Sequence, residues 1–146
     1  MSDIFTSAKR SEIMSKISGK ETKPEVLVRK YLFANGFRFR KNVKALPGKP
    51  DIVLPKYKTI ILIHGCFWHN HNGCKKAKLP QTRKEFWSLK IENNVQRDAH
   101  NKKILEAHNW NIITIWECEL KNKELREKKL LYLKKHLLSL KDKMNF

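Results

Sequence analysis

Eleven residues, His64-Gly65-Cys66-Phe67-Trp68-His69-Asn70-His71-Asn72-Gly73-Cys74, hold two of the chain's three cysteines and three of its six histidines. The third cysteine, Cys118, ends a stretch from Trp110 whose β-branched and aromatic residues read as a strand. Zinc prefers four tetrahedral ligands drawn from thiolate and imidazole. Cys66, one histidine, Cys74 and Cys118 would make a closed site, and His71 is the better local imidazole because it immediately precedes Asn72-Gly73-Cys74. Such a site is structural and contributes on the order of 10 kcal/mol to folding. It constrains the fold, because the strand ending at Cys118 must then pass beside residues 64–81. That segment is rich in His, Gly, Asn, Lys and Pro and has little apolar material of its own. The competing explanation is three unrelated buried thiols with surface histidines, since short Cys/His matches arise by chance.

The remaining pattern supplies a frame for this knot. Ser7–Ile17 reads as a short helix ended by Ser18-Gly19-Lys20. Thr22 opens a second helix, with Pro24 in its first turn and Glu25 three residues after the cap, and Asn35-Gly36 stops it. Phe37–Val43 alternates as a half-buried strand. Asp51–Leu54 and the fully apolar Thr59–Ile63 form two more strands around the turn Pro55–Lys58. Thr82 and Glu85 make a capping-box pattern for a helix running to about His108, with a break near Asn93-Asn94. Asn122 caps a last helix whose Leu125, Leu130, Leu133, Leu137 and Leu140 face inward. The order α-α-β-β-β-α-β-α predicts an α/β fold: a three-strand meander, then a fourth strand made parallel by its helical crossover. At 146 residues the chain fits one domain with a real core.

The charge is +18, from 32 Lys and Arg against 14 Asp and Glu, and it is spread along the chain. A detachable basic arm would concentrate its charge, so the folded body itself is positive and suited to a polyanion, nucleic acid first. An aromatic content of 10% excludes a disordered basic tail. The longest apolar run, Thr59–Ile63, is too short for a bilayer, and Met1-Ser2-Asp3 begins no secretory pattern. No membrane association is expected, and the free cysteines suit a reducing cytoplasmic compartment.

A second group of residues carries possible chemistry. If residues 56–57 form the turn, Asp51 lies opposite Leu62, and Asp51, Leu62 and His64 share a face at one end of the sheet. A carboxylate with a peptide carbonyl can hold Mg²⁺, and a nearby imidazole can serve as general base for water. That is equipment for metal-assisted phosphodiester hydrolysis. Each residue has a plainer explanation: Asp51 as a turn residue after Pro50, Glu25 as half of a capping box, His69 as a spare exposed histidine. Phe67 and Trp68 sit inside the metal loop, a poor place to bury large rings, which suggests stacking on or wedging between bases. Trp87 follows the basic residues Lys75, Lys76, Lys78, Arg83 and Lys84 and fits either a wedge or a core. Trp110 and Trp116 are assigned to the core.

Together these residues resemble the very-short-patch mismatch repair (Vsr) endonucleases. The resemblance lies in Leu46-Pro47-Gly48-Lys49-Pro50-Asp51, His64–His69, Thr82-Arg83-Lys84-Glu85-Phe86-Trp87, Asn94-Val95-Gln96-Arg97-Asp98 and Trp116-Glu117-Cys118, with Arg10-Ser11 and Met14 at the front. It covers roughly residues 8–120. It implies a restriction-endonuclease-like mixed sheet flanked by helices, with a structural zinc. It also implies nicking of double-stranded DNA 5′ to the thymine of a T·G mismatch left by 5-methylcytosine deamination, by a bacterial protein acting as a monomer. By the same resemblance Asp51 and the Ile63 carbonyl hold Mg²⁺, His69 activates water, His64 assists at the scissile phosphate and Glu25 supports the metal-water shell. Cys66, His71, Cys74 and Cys118 bind Zn²⁺. Phe67, Trp68 and Trp87 wedge from the major-groove side and Met14 enters from the minor groove. Residues 1–20 then form a DNA-contacting helix, 21–120 the catalytic core and 121–146 a C-terminal helix of a single endonuclease domain. Ile63 stands where the family often has Thr, and the loop with Asn70 and Asn72-Gly73 is slightly longer than in some relatives. Two other readings remain at this point: a restriction-type endonuclease of the same fold, and a non-catalytic zinc module that binds DNA.

Overall fold

The computed structural model describes residues 23–144, with side chains described through residue 141. The expected first helix, Met14 and the Thr22 cap lie outside the described residues. Four strands form one sheet in the order β1-β2-β3-β4: β1 Arg40–Lys41, β2 Ile52–Leu54, β3 Thr59–His64 and β4 Asn111–Trp116. The first two pairings are antiparallel, and β3 runs parallel to β4 from Thr59↔Asn111 to His64↔Trp116. Three helices complete the described fold: α1 Lys23–Ala34, α2 Lys84–Ala107 and α3 Lys123–Met144. The mixed α/β architecture and the parallel crossover are as the sequence predicts.

Burial on both faces explains the apolar β3. On one face Ile61, Ile63 and Ile115 pack with Val28 and Leu32 of α1 and with Leu130, Leu133 and Leu137 of α3. On the other, Val53 and Ile60 pack with Leu105 of α2, bordered by Leu62, Trp110 and Ile112. Each fully buried Leu or Ile contributes about 1.5–3 kcal/mol relative to exposure. The interior of the β2–β3 hairpin is closed by a 3₁₀ turn at Pro55–Tyr57 and by Lys58 at φ 51°, whose N–H donates to the Pro55 carbonyl. This turn fixes Ile52↔Ile61 and hence the register of everything beyond it.

Several local expectations need correction. The first strand is two residues long rather than seven: regular extended backbone ends at Lys41 because Asn42 turns into the left-handed region at φ 50°, although the Asn42 and Val43 N–H groups still donate to the Asp51 and Pro50 carbonyls. Helix α2 starts without a Thr82 side-chain cap; Arg83, at φ 56°, occupies the cap position. It also runs unbroken through Asn93-Asn94. Cys118 does not end β4 but sits in the 3₁₀ turn Glu117–Leu120 that follows it. Leu125 is exposed, since it lies about 120° around the helix from Leu137 at ~100° per residue. Asn122 does cap α3, its Oδ1 accepting the Leu125 N–H at 2.9 Å. Among the described residues no helix is long and apolar enough to cross a membrane.

Candidate functional site

The end of the sheet where β2 begins and β3 finishes opens into a cleft of about 460 Å³. Asp51 stands one residue ahead of β2, and the hairpin register continued by one step sets it opposite Leu62. Its Oδ2 accepts the Ile63 N–H at 2.8 Å. Burial raises the Asp51 pKa above the usual carboxylate range, against the lowering effect of that hydrogen bond and of one from the Glu25 carboxyl. Glu25 reaches this point because α1 presents Glu25, Val28, Arg29 and Leu32 as its buried face. The Arg29 guanidinium lies 4.0 Å from the Glu25 carboxylate. Glu25, Asp51, Ile63, His64 and His69 all line the one cleft. Two adjoining carboxyls in a half-dry cleft form an oxygen donor set that suits a hard dication such as Mg²⁺.

The two imidazoles stack on each other, with centroids 3.9 Å apart and planes within 5°. Burial, reinforced by the neighbouring His69 charge, holds His64 down at about 4, which favours the neutral ring and leaves it a hydrogen-bond acceptor. His69 Nδ1 lies 2.5 Å from Asp98 Oδ2 of α2. A carboxylate on one ring nitrogen fixes the tautomer and leaves the other nitrogen for chemistry. His69 is therefore not a spare surface histidine.

The four residues of the expected cysteine cluster come together in the fold. Ligand atoms of Cys66, His71, Cys74 and Cys118 all lie within 4.8 Å of one another, and Cys118 Sγ is 3.4 Å from His71 Nδ1. Tetrahedral bonds of ~2.0–2.3 Å would set ligand atoms roughly 3.5 Å apart, a spacing this cluster approaches. A chain of turns makes this approach: His69 N–H to the Gly65 carbonyl, His71 N–H to Cys66 and Cys74 N–H to His71. Asn70 at φ 50° and Gly73 at φ 75° supply the reversals. The extra residue in this loop does not keep Cys74 away. Burial pushes the Cys66 thiol up to about 12 and also raises Cys118, whereas the Lys76 backbone N–H lowers Cys74. Three adjoining thiols of this kind ionise together only with a cation between them. The donor set fits Zn²⁺.

Phe67, Trp68 and Trp87 form one aromatic group, with centroids 5.2 to 5.8 Å apart. Trp68 is 46% exposed and also lines the cleft. Phe86 joins the group at 5.2 Å from Trp87 and is itself exposed. Trp116 is not a core residue. It stacks on His71 at 4.1 Å and meets His64 edge-on at 5.2 Å, forming the wall between the cysteine cluster and the cleft. Sequence reasoning also missed three polar partners. Asp98 orients His69, Asn94 Nδ2 donates to the Trp68 carbonyl at 3.2 Å, and Glu117 Oε1 accepts the Cys66 N–H at 3.4 Å. Asn94 and Asp98 fall one turn apart on α2, a spacing that was visible as a shared helix face but without any sign of what that face meets.

Comparison with known proteins agrees with this geometry. Residues 2–76 match the family model described as DNA mismatch endonuclease Vsr. The chain is 55% identical over 130 residues to a type II nicking enzyme, V.NmeAIP, of Neisseria meningitidis, covering 89% of this chain and 92% of that protein. It is 42% identical over 120 residues to the type II nicking enzyme V.XorIIP of Xanthomonas oryzae, covering 82% and 88%. It is 40% identical over 124 residues to the DNA mismatch endonuclease Vsr of Escherichia coli, covering 85% and 79%. The chain belongs to the Vsr family of DNA mismatch endonucleases, and it is a nuclease.

Proposed function

We propose that this chain nicks one strand of double-stranded DNA 5′ to the thymine of a T·G mismatch, the product of 5-methylcytosine deamination, by Mg²⁺-dependent phosphodiester hydrolysis. The observation that carries the reading is the double membership of Trp68. It belongs to the exposed aromatic group and to the lining of the acid–imidazole cleft, so a ring driven into the helix stack brings the adjoining backbone to Asp51. Wedging costs a few kcal/mol of stacking per step and costs less at a mismatched pair, which is one source of selectivity. Phe67 and Trp87 complete the wedge, and Met14 enters from the minor groove. Residues 1–20 supply that second contact, 21–120 the catalytic core and 121–146 the closing helix of a single domain that acts as a monomer in the bacterial cytoplasm.

Asp51 and the Ile63 carbonyl would hold Mg²⁺, with Glu25 supporting its water shell. Mg²⁺ supplies Lewis-acid polarisation of the phosphate when bound. The chain's own groups do the rest. His69 takes the proton of the attacking water, Asp98 keeps its ring turned toward that water, and neutral His64 meets the scissile phosphate. Cys66, His71, Cys74 and Cys118 would hold Zn²⁺ in a closed shell, which shapes the loop carrying Phe67, Trp68 and His69 and performs no step.

The deciding assay is nicking of a panel of duplexes that place T·G, or the matched C·G pair, in randomised flanks. Strand-specific cutting confined to T·G is expected. Equal cutting of matched duplexes would mean a restriction-type enzyme, and binding with no cutting in Mg²⁺ would mean a binding module. Within that assay Asp98→Asn is expected to lower kcat by roughly 10²-fold with KM little changed, because His69 loses its orienting partner after the substrate is seated. A raised KM at unchanged kcat would remove Asp98 from that role.

A further inference from the structure

The cleft is electrically unbalanced. Its lining carries four carboxylates, Glu25, Asp51, Asp98 and Glu117, against two cationic side chains, Lys49 and Lys102. Acidic side chains thus outnumber lysines by two, and an acidic lining repels a phosphodiester. Among the described residues that line the cleft, only the two lysines attract phosphate through their own charge.

A specific contact ties the loop that carries Lys49 to the helix that carries Lys102. Pro47 and Gly48 form a turn closed by the Lys49 N–H on the Leu46 carbonyl at 3.1 Å. Gly48 has φ +77°, and a Cβ placed on it would lie 2.8 Å from Asn101 Nδ2 of α2. Glycine is thus needed for both the turn and the close approach. The loop touches α2 at Gly48 and Asn101, and the next residue on each side is a lysine. Lys49 holds φ +48°, uncommon for a side chain with a Cβ, directly before buried Pro50. Lys49 stands two residues before Asp51, and Lys102 stands four residues, about 6 Å of helix, beyond Asp98.

We propose that Lys49 and Lys102 form one phosphate seat on the rim of the cleft. The seat takes the phosphodiester next to the one that is cut and so sets the strand's register over Asp51. This rests on the nuclease reading of the cleft. Four proteins test it: Lys49→Ala, Lys102→Ala, the double Ala variant and the double Arg variant, with Lys135→Ala as a distant control. Binding to a T·G duplex is measured with Ca²⁺ replacing Mg²⁺ across a salt series, and nicking is measured in Mg²⁺. Each alanine is expected to reduce the slope of log affinity against log salt by about 1, and the double variant by about 2. The double variant's KM is expected to rise by about tenfold or more while kcat changes far less, with the Arg variant close to wild type. An unchanged slope and KM in the double variant, or an equal effect of Lys135→Ala, overturns the seat while leaving the nuclease reading intact. Wild-type protein that binds the duplex but never nicks it overturns the nuclease reading, and with it the register role of the seat.

Discussion

Asp51→Asn is expected to abolish Mg²⁺-dependent nicking, by roughly 10³-fold or more, and to leave the protein folded and able to bind DNA. The Asp51 carboxylate sits at the sheet end and lines the cleft, and losing a metal's anchor removes several kcal/mol of transition-state stabilisation, at 1.36 kcal/mol for each tenfold. Asparagine is chosen because its side-chain oxygen still accepts the Ile63 N–H that Asp51 now accepts at 2.8 Å. Alanine would leave that N–H without its acceptor and cost about 1–3 kcal/mol, mixing stability with catalysis. Burial raises the Asp51 pKa, so the ionised form is less comfortable in the folded metal-free protein than in the unfolded chain. The metal-free Asn variant is therefore expected to melt at or above the wild-type temperature, the pattern of a residue retained for function at some cost in stability. Gel assays of nicking and mobility shift, beside a melting curve, check all three parts. Normal nicking by the Asn variant would place the metal elsewhere.

The chain announces the parts of this site that are set by local pattern, and hides those that depend on packing. The hairpin register was legible because Thr59–Ile63 is wholly apolar and Pro55–Lys58 allows few turn geometries, so Asp51 opposite Leu62 follows from counting. The cysteine cluster was legible because every thiol in the chain takes part. Asp98 was hidden: on a helix that is polar nearly all round, one carboxylate looks like any other until His69 is found against it, 29 residues away in sequence. The same holds for Asn94. A pair of asparagines reads as a helix break, yet here the helix continues and Asn94 spends its amide on the Trp68 carbonyl. Trp116 shows the converse, since β-strand residues with large rings are usually core, and this one stands between two clusters of histidine and cysteine. Long-range polar pairings carry no sequence period, which is why they are the part that only the folded chain supplies.

Phe67, Trp68 and His69 are held from two sides, by Asn94 and Asp98 of α2 and by the cysteine cluster that brackets them, and Cys118→Ser is expected to show how far the proposed wedge and base depend on the cluster. Serine keeps the size of the side chain but offers a poor zinc ligand, leaving Cys66, His71 and Cys74 to close a shell that needs four. A structural zinc contributes on the order of 10 kcal/mol, comparable to the ~5–15 kcal/mol total stability of a domain. The variant is expected to lose stoichiometric zinc by elemental analysis and to melt roughly 10 °C or more below wild type. Retention of one zinc per chain would refute the ligand set. Chelation of wild-type protein supplies the second arm and separates the two metals. Phe67, Trp68 and His69 lie between Cys66 and His71, so stripping zinc should slacken the wedge and move the base together. Stripped protein given excess Mg²⁺ is then expected to stay inactive, and zinc added with Mg²⁺ to restore nicking. Recovery with Mg²⁺ alone would mean that the loop holds its shape without the cluster, through Asn94 and Asp98 on α2.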